Sequence, residues 1–210
     1  MEAKCRLCEI ADGQYMADYD RPVYMTENFF SIASVGTMIM GWQLIVPKKH
    51  LCSMKDVLAT GEADVYINGV LSVLWKTYKS VIVFEHGPNH FGSKTSCGTN
   101  HAHLHFVPNG PSLFDYMKDD RFAWEKCSPH EIASKASDKE YLFYMELQNG
   151  DLWQESTGQL CILDEPISQY FRQLIAKSIG TPDQYDYKMY PNVDLTTNSW
   201  EHLTKLFVDQ

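Results

Sequence analysis

The most constraining stretch of the sequence is HAHLHFVP, in which His101, His103 and His105 occupy every second position. Side chains on a β-strand alternate between the two faces of the sheet, so these three should point to one face about 6.6 Å apart. The intervening residues should then face the core: Ala102, Leu104 and Phe106. Three imidazoles in register on a half-buried strand are costly to hide. The row therefore predicts metal binding, catalysis or both.

A second set of residues decides between these roles. Among the six cysteines, only Cys5 and Cys8 have the spacing of a metal-ligand pair. A closed zinc site takes four ligands, and His50, at the end of LIVPKKH, and His101, first in the row, are the candidates for the other two. We therefore predict a structural Zn²⁺ that ties the N-terminus to the sheet and leaves the other two histidines of the row free for chemistry.

The overall charge limits the partners of the chain. A formal net charge of −9 over 210 residues, with no Lys/Arg-rich run, disfavours nucleic acid and anionic lipid, although a local pocket can still bind a small phosphorylated ligand. The start MEAKCRLCEI lacks the pattern of a signal peptide, and no segment approaches the roughly 18 apolar residues of a membrane span. We expect a cytoplasmic protein with no membrane partner, in which the cysteines are thiols or metal ligands.

Helical and strand patterns alternate over the first half of the chain. Residues 22–35, 41–47, 80–87 and 101–108 are short β-rich runs. Between the second and third, SMKD has the spacing of a capping box, with Ser53 and Asp56, and predicts that a helix follows. One face of that helix should pack on the sheet through Ile67, Val70, Leu71, Leu74 and Tyr78. The pattern predicts an α+β domain over residues 1–112.

Beyond residue 112 the pattern loosens. YLFYMELQNGDLW resembles a hairpin around Asn149 and Gly150. Residues 168–179 should form a helix that buries Phe171, Leu174 and Ile175 and ends before Gly180. The last thirty residues show no clear pattern. We assign residues 113–210 to a C-terminal α/β extension packed on the first domain.

The motif HAHLHFV resembles the signature of the histidine triad (HIT) proteins, His-φ-His-φ-His-φ-φ with φ apolar, at all seven positions. The resemblance extends upstream through CRLCEI and TENFFSIASVGTMIMGWQLIVPKKH, and so covers about residues 5 to 108. It implies a HIT-like fold, an antiparallel sheet packed with a long helix. The stretch SQYFRQLIAKSIGTPDQYDY also looks like the C-terminal part of longer HIT-like proteins, including splicing-factor relatives.

The resemblance implies nucleotidyl transfer. His103, in the middle position, would attack the α-phosphorus of a dinucleoside polyphosphate or a nucleoside phosphoramidate, and the nucleotidyl-histidine would then be hydrolysed or phosphorolysed. One ring nitrogen must attack while the other keeps its proton against an acceptor, which in this family is a backbone carbonyl on the same strand. His105 would donate to the phosphate or the leaving group.

Several candidate substrate contacts accompany the row. Gly41-Trp42 stands where the family usually has Gly-His, and Ser96-Cys97-Gly98 stands where many members have Gly-Gln-Ser/Thr. The replacement phosphate donors would be the Ser96 side chain and the amides of Gly98 and Thr99, unless this segment is an ordinary turn. Glu85 would orient a histidine or bind a ribose, or be a solvated charge at a strand end. Apolar contacts to the nucleotide would come from Phe29, Phe30 and Ile32.

Two other functions compete with this hypothesis. The first is a non-catalytic HIT-like adaptor in RNA processing, which has little need for His103 and is disfavoured by the acidic charge. The second is a catalytic zinc centre, which requires an open coordination position and would leave no nucleophile if it used His103. The family also implies a homodimer formed through the long helix and an edge strand, although residues 113–210 could cover that edge instead.

Overall fold

The computed structural model describes residues 5–118 and 121–208, and one antiparallel sheet runs through both halves of the chain. The first half contributes five strands: β1 Tyr24–Met25, β2 Phe29–Ala33, β3 Gln43–Pro47, β4 Ser80–Gly87 and β5 Leu104–Pro108. The second half contributes three: β6 Trp124–Cys127, β7 Glu140–Gln148 and β8 Gly158–Leu163. Their spatial order is β1-β2-β3-β5-β4-β7-β8-β6. The predicted α+β class with an antiparallel sheet is confirmed.

Helices cover both faces of this sheet. They are α1 Arg6–Ala11, α2 Lys55–Ala59, α3 Asp64–Leu74, α4 Ile132–Ala136, α5 Tyr170–Ser178 and α6 Val193–Val208. The helix predicted after Ser53 is divided into α2 and α3 near Gly61, whose φ of +71° is a left-handed conformation that a helix cannot contain. The predicted capping box is wrong, because α2 begins after Met54 and has no side-chain cap. None of the helices in the described part of the chain is long and apolar enough to cross a membrane.

The two faces of β5 pack against different layers. Leu104 and Phe106 face α2 and α3 in the larger core, together with Ala102, as predicted. His105 lies on the opposite face, because its cross-strand neighbours are Leu44 and Phe84. Two helices flank the histidines on this face. α1 packs over β2 and β3 at one side, and α5 packs over β4 and β7 at the other.

The extension continues the sheet. Strand β7 pairs with the whole length of β4, from Ser80↔Gln148 to Gly87↔Tyr141. The outer edge of β4 is therefore covered within the chain. The sequence analysis named this possibility, that residues 113–210 cover the edge in place of a second subunit. The homodimer stays a prediction, and pairing through this edge would first require β7 to leave. The division at residue 112 also stays a prediction, although the sheet crosses it.

Helix α6 returns from the extension to the first half. It contacts β2 and α3, and its Leu203 is buried in the same core as Ile67. This helix lies in the segment that showed no clear sequence pattern. The pattern is hidden because the other buried residues of the helix are polar, Thr196 and Ser199. Their hydroxyls bond to the backbone of Ser34 and Gly41, so the helix packs through small polar side chains.

Candidate active site and metal centre

The four predicted metal ligands converge. One donor atom from each of Cys5, Cys8, His50 and His101 lies within 4.8 Å of the other three. The two Nδ1 atoms of the histidines are 3.3 Å apart. Three sulfur-to-nitrogen distances in the cluster are 3.2, 3.4 and 3.5 Å.

These distances fit a tetrahedral ion. With Zn–N bonds of about 2.05 Å and Zn–S bonds of about 2.3 Å, tetrahedral angles place two nitrogens about 3.3 Å apart and a sulfur and a nitrogen about 3.6 Å apart. His101 is oriented for this role, because its Nε2 lies 2.8 Å from the carbonyl oxygen of Pro47 and its Nδ1 faces the thiols. Burial lowers the pKa of His101 to about 4, so the ring is neutral, the form that binds metals.

The histidine row divides into two structurally distinct parts. Strand β5 begins only at Leu104, so His101 and His103 precede the regular strand. The rings of His103 and His105 lie 4.9 Å apart, centroid to centroid, closer than the predicted step of a regular strand. His101 belongs to the group of four candidate metal ligands, whereas His103 and His105 form an imidazole pair outside it.

The geometry around His103 defines its tautomer. Its Nδ1 lies 2.7 Å from the backbone carbonyl of His101. A carbonyl only accepts hydrogen bonds, so Nδ1 carries the proton and Nε2 carries the lone pair. This is the arrangement that the resemblance implied. Burial also lowers the pKa of His103 below its ordinary value, which keeps the ring neutral near pH 7.

His105 has the opposite tautomer, because of a residue that the sequence analysis did not place in the site. The indole Nε1–H of Trp42 donates to His105 Nδ1 at 3.0 Å. An indole nitrogen can only donate, so His105 carries its proton on Nε2. Burial lowers the pKa of His105 well below its ordinary value, and positive charge on the neighbouring His103, His86 and Arg172 would lower it further. The sequence did contain a signal that Trp42 belongs to the site, because it occupies a position where histidine triad proteins usually have histidine.

Two further residues from outside the predicted site approach this pair. His86 on β4 lies with its ring centroid 6.3 Å from that of His105, and its Nε2 accepts the backbone N–H of Phe171 at 3.3 Å. Burial lowers the pKa of His86 to about 3, so it is neutral. Arg172 lies over the ring of Trp42, 4.9 Å from its centroid. Both residues connect the histidines to α5 of the extension.

The predicted phosphate-binding turn is largely occupied by its own hydrogen bonds. The Ser96 hydroxyl is buried and donates to Ser93 O at 2.7 Å. The N–H of Thr99 donates to Ser96 O at 2.9 Å. Gly98 differs, because its N–H has no hydrogen-bond partner within the described ranges of the chain. Of these three predicted donors, Gly98 is the one available to a ligand.

Glu85 is not brought to the histidine pair. Along β4 it points to the opposite face from Phe84 and His86, where it is buried. Its carboxylate accepts the Met54 N–H at 2.7 Å and the Tyr141 hydroxyl at 2.6 Å. The expected contact with a histidine or a ribose is therefore corrected, and Glu85 instead joins α2 to the sheet.

The predicted apolar contacts are covered. Phe30 and Ile32 are completely buried beneath Leu7 and Ile10 of α1, and Phe29 points to the other face of β2, where it packs on Tyr66. None of the three is open to a nucleoside in this conformation, which corrects the expectation. A cleft of about 1300 Å³ does open beside α1. Its lining includes His50, Phe91, Gly98, Thr99, Asn100 and Tyr187.

Comparison with known proteins gives a partial likeness. No protein-family model matches the chain, and no curated protein sequence matches it. Among solved structures, a histidine triad protein from Clostridium difficile is 25% identical, with a TM-score of 0.38, and the match covers 54% of this chain and 96% of that one. The chain is similar to histidine triad proteins.

Two other solved structures give the same likeness. A HIT family hydrolase from Clostridium thermocellum is 17% identical, with a TM-score of 0.35, over 54% of this chain and 100% of that one. A hypothetical histidine triad nucleotide-binding protein from Sulfolobus tokodaii is 22% identical, with a TM-score of 0.36, over 62% and 87%.

Proposed function

We propose that the chain is a nucleotidyl hydrolase or transferase of the histidine triad type. It would act on the α-phosphate of a dinucleoside polyphosphate or a nucleoside phosphoramidate. The observation that carries the proposal is the pair of opposite tautomers. His103 has a free lone pair on Nε2 because its Nδ1–H is held by the His101 carbonyl, and His105 has a donor on Nε2 because its Nδ1 is held by Trp42.

The reaction follows from this pair. The Nε2 lone pair of His103 forms a bond to the α-phosphorus while the bond from phosphorus to the leaving group breaks, and the leaving group departs with the bonding electrons. The Nε2–H of His105 donates a hydrogen bond to the charge that develops. Water or phosphate then attacks the phosphorus, the N–P bond breaks, and its electrons return to His103 Nε2. Where water attacks, its proton passes to solvent.

We also propose that Cys5, Cys8, His50 and His101 hold a structural Zn²⁺. The ion would supply no chemistry to the transfer and would join α1 to the segment before β5. The same residue, His101, offers its side chain to this cluster and its carbonyl to His103. An ion that fixes the position of His101 would therefore also fix the carbonyl that orients the nucleophile.

The competing functions have less support. A catalytic zinc needs an open position, whereas the four side chains here would supply a complete tetrahedral set to one ion and His103 stands outside their group. A non-catalytic adaptor in RNA processing has no use for two imidazoles held in opposite tautomers, and the net charge of −9 opposes binding to RNA.

Turnover and trapping test the proposal. The purified chain is incubated with adenylyl and guanylyl polyphosphates and phosphoramidates, and release of the mononucleotide is measured. His103→Ala should abolish turnover, whereas His105→Ala should slow it by about a hundred- to a thousandfold, the usual cost of losing one charge-stabilising donor. Mass spectrometry after an acid-free quench should show one nucleotidyl adduct, on His103.

The control is His130→Asn, which changes a histidine that pairs with Asp64 outside the row. This variant should keep the parental rate. Near-parental turnover in His103→Ala would refute the assignment of His103 as the nucleophile. Nucleotide binding without turnover on any substrate would favour the adaptor.

A further inference from the structure

We infer that the extension completes the site with two cations, Arg172 and Lys188, that bind the phosphate chain of the leaving group. The inference rests on the proposed function and names the substrate class within it. That class is a nucleotide whose leaving group is itself a phosphate or polyphosphate.

Arg172 is a buried cation that forms no ion pair with a carboxylate among the described residues. This residue of α5 is only 3% exposed. Its guanidinium donates from Nε to Tyr185 O at 2.8 Å and from Nη2 to Gly36 O. Within residues 5–118 and 121–208, no acidic side chain forms an ion pair with it. Asp186 instead accepts the side-chain amide of Gln169 and the backbone N–H of Lys188.

A buried guanidinium is costly unless an anion compensates its charge. Two carbonyl oxygens satisfy part of its hydrogen-bonding capacity but do not neutralise it. Its planar array of donors matches the oxygens of a phosphate group. Arg172 lies over the indole of Trp42, and that indole holds His105, so the guanidinium charge is adjacent to the reacting pair.

Lys188 brings a second cation to the turn that precedes the row. The segment that carries it is tied to this turn, because the Tyr187 hydroxyl donates to Cys97 O at 3.0 Å. A Cβ added at Gly98 would lie 2.6 Å from Lys188 Nζ, so the glycine permits the close approach of the ammonium group. Gly98 also carries the N–H for which the described residues offer no hydrogen-bond partner. An ammonium and a free amide thus meet on the turn that leads into His103.

The state of His105 favours the same leaving group. When an amine leaves phosphorus, its nitrogen must gain a proton, but His105 is held neutral because Trp42 donates to its Nδ1. A phosphate leaving group keeps the electrons of the broken P–O bond on oxygen and departs as an anion. It therefore needs positive charge nearby rather than an acid, which is what Arg172 and Lys188 supply.

Binding of inorganic tripolyphosphate to the full chain gives the first test. Calorimetry should show binding to the parent, weakened about tenfold or more in Arg172→Gln and in Lys188→Gln, because each removes one charge-assisted contact. Lys177→Gln is the matched control, since Lys177 is an exposed lysine on α5. Lys188 is also exposed, so its variant gives an answer even where Arg172→Gln folds poorly. No binding by the parent, or equal binding by parent and Lys188→Gln, would overturn the inference.

The second test is selectivity between leaving groups. The ratio of kcat/KM for a dinucleoside polyphosphate to kcat/KM for a nucleoside phosphoramidate should fall about tenfold in Lys188→Gln and stay constant in Lys177→Gln. An unchanged ratio in Lys188→Gln, or a parent that cleaves only the phosphoramidate, would overturn the inference. Tripolyphosphate binding that depends on both cations in a chain without turnover would instead refute the proposed function and leave the anion site standing.

Discussion

Removing the metal should detach α1 from the sheet. The proposed Zn²⁺ joins Cys5 and Cys8, at the start of α1, to His50 and His101. The described chain has no disulfide that could hold the helix in its place. Chelation, or the substitution Cys8→Ser, would therefore remove a cross-link between this six-residue helix and the sheet.

The size of the effect follows from what α1 buries. Leu7 and Ile10 are 2% and 1% exposed, and they cover Phe30 and Ile32 on the sheet. Burial of such a side chain contributes about 1.5–3 kcal/mol, so loss of both contacts costs about 3–6 kcal/mol as an upper estimate. For a chain of this length, each kcal/mol lowers Tm by about 2–4 °C, so the fall in Tm should lie between about 6 and 24 °C at this upper estimate.

Three measurements follow the metal and the helix. Elemental analysis should find one zinc per chain, calorimetry should show the fall in Tm with chelator or with Cys8→Ser, and hydrogen exchange should accelerate in α1. Cys52→Ser is the matched control, because Cys52 is a half-buried thiol outside the cluster. Its Sγ contacts Pro88 O. It should keep both the zinc and the Tm. Purified protein without zinc, or a Cys8→Ser variant as stable as the parent, would refute the reasoning.

Two further predictions concern stability and assembly. Burial raises the pKa of Glu85 from its ordinary 4.5 to about 7, so its contribution to stability is complete below about pH 4.5 and is lost as the pH rises towards 7, about 3 kcal/mol in all. Denaturant titrations at pH 5 and pH 8 should show this loss in the parent and not in Glu85→Gln; equal pH dependence would contradict it. Light scattering at micromolar concentration tests the homodimer. The covered edge of β4 favours the 24.2 kDa monomer, and twice that mass would mean that another surface pairs.

The sequence alone determined the features that depend on local patterns. Strand alternation separated the histidines from the core residues between them, and Leu104 and Phe106 do face the core. The ligand spacing of Cys5 and Cys8 identified half of the metal cluster. The helical spacing of buried residues placed α5, where Phe171 and Ile175 are fully buried as predicted. Such patterns are visible because the residues that interact are close in sequence or share a regular repeat.

Only the tertiary structure decided what surrounds the histidines. Trp42 donates to His105 from 63 positions away, and Arg172 donates to Gly36 across 136 positions. No periodicity relates residues so distant in sequence, and their contacts exist only once the sheet has been assembled. The same holds for the cover over Phe30, because an exposed apolar groove and a groove filled by α1 have the same strand pattern. A repeat specifies which face a side chain occupies, whereas packing of the whole chain determines which distant segment meets that face.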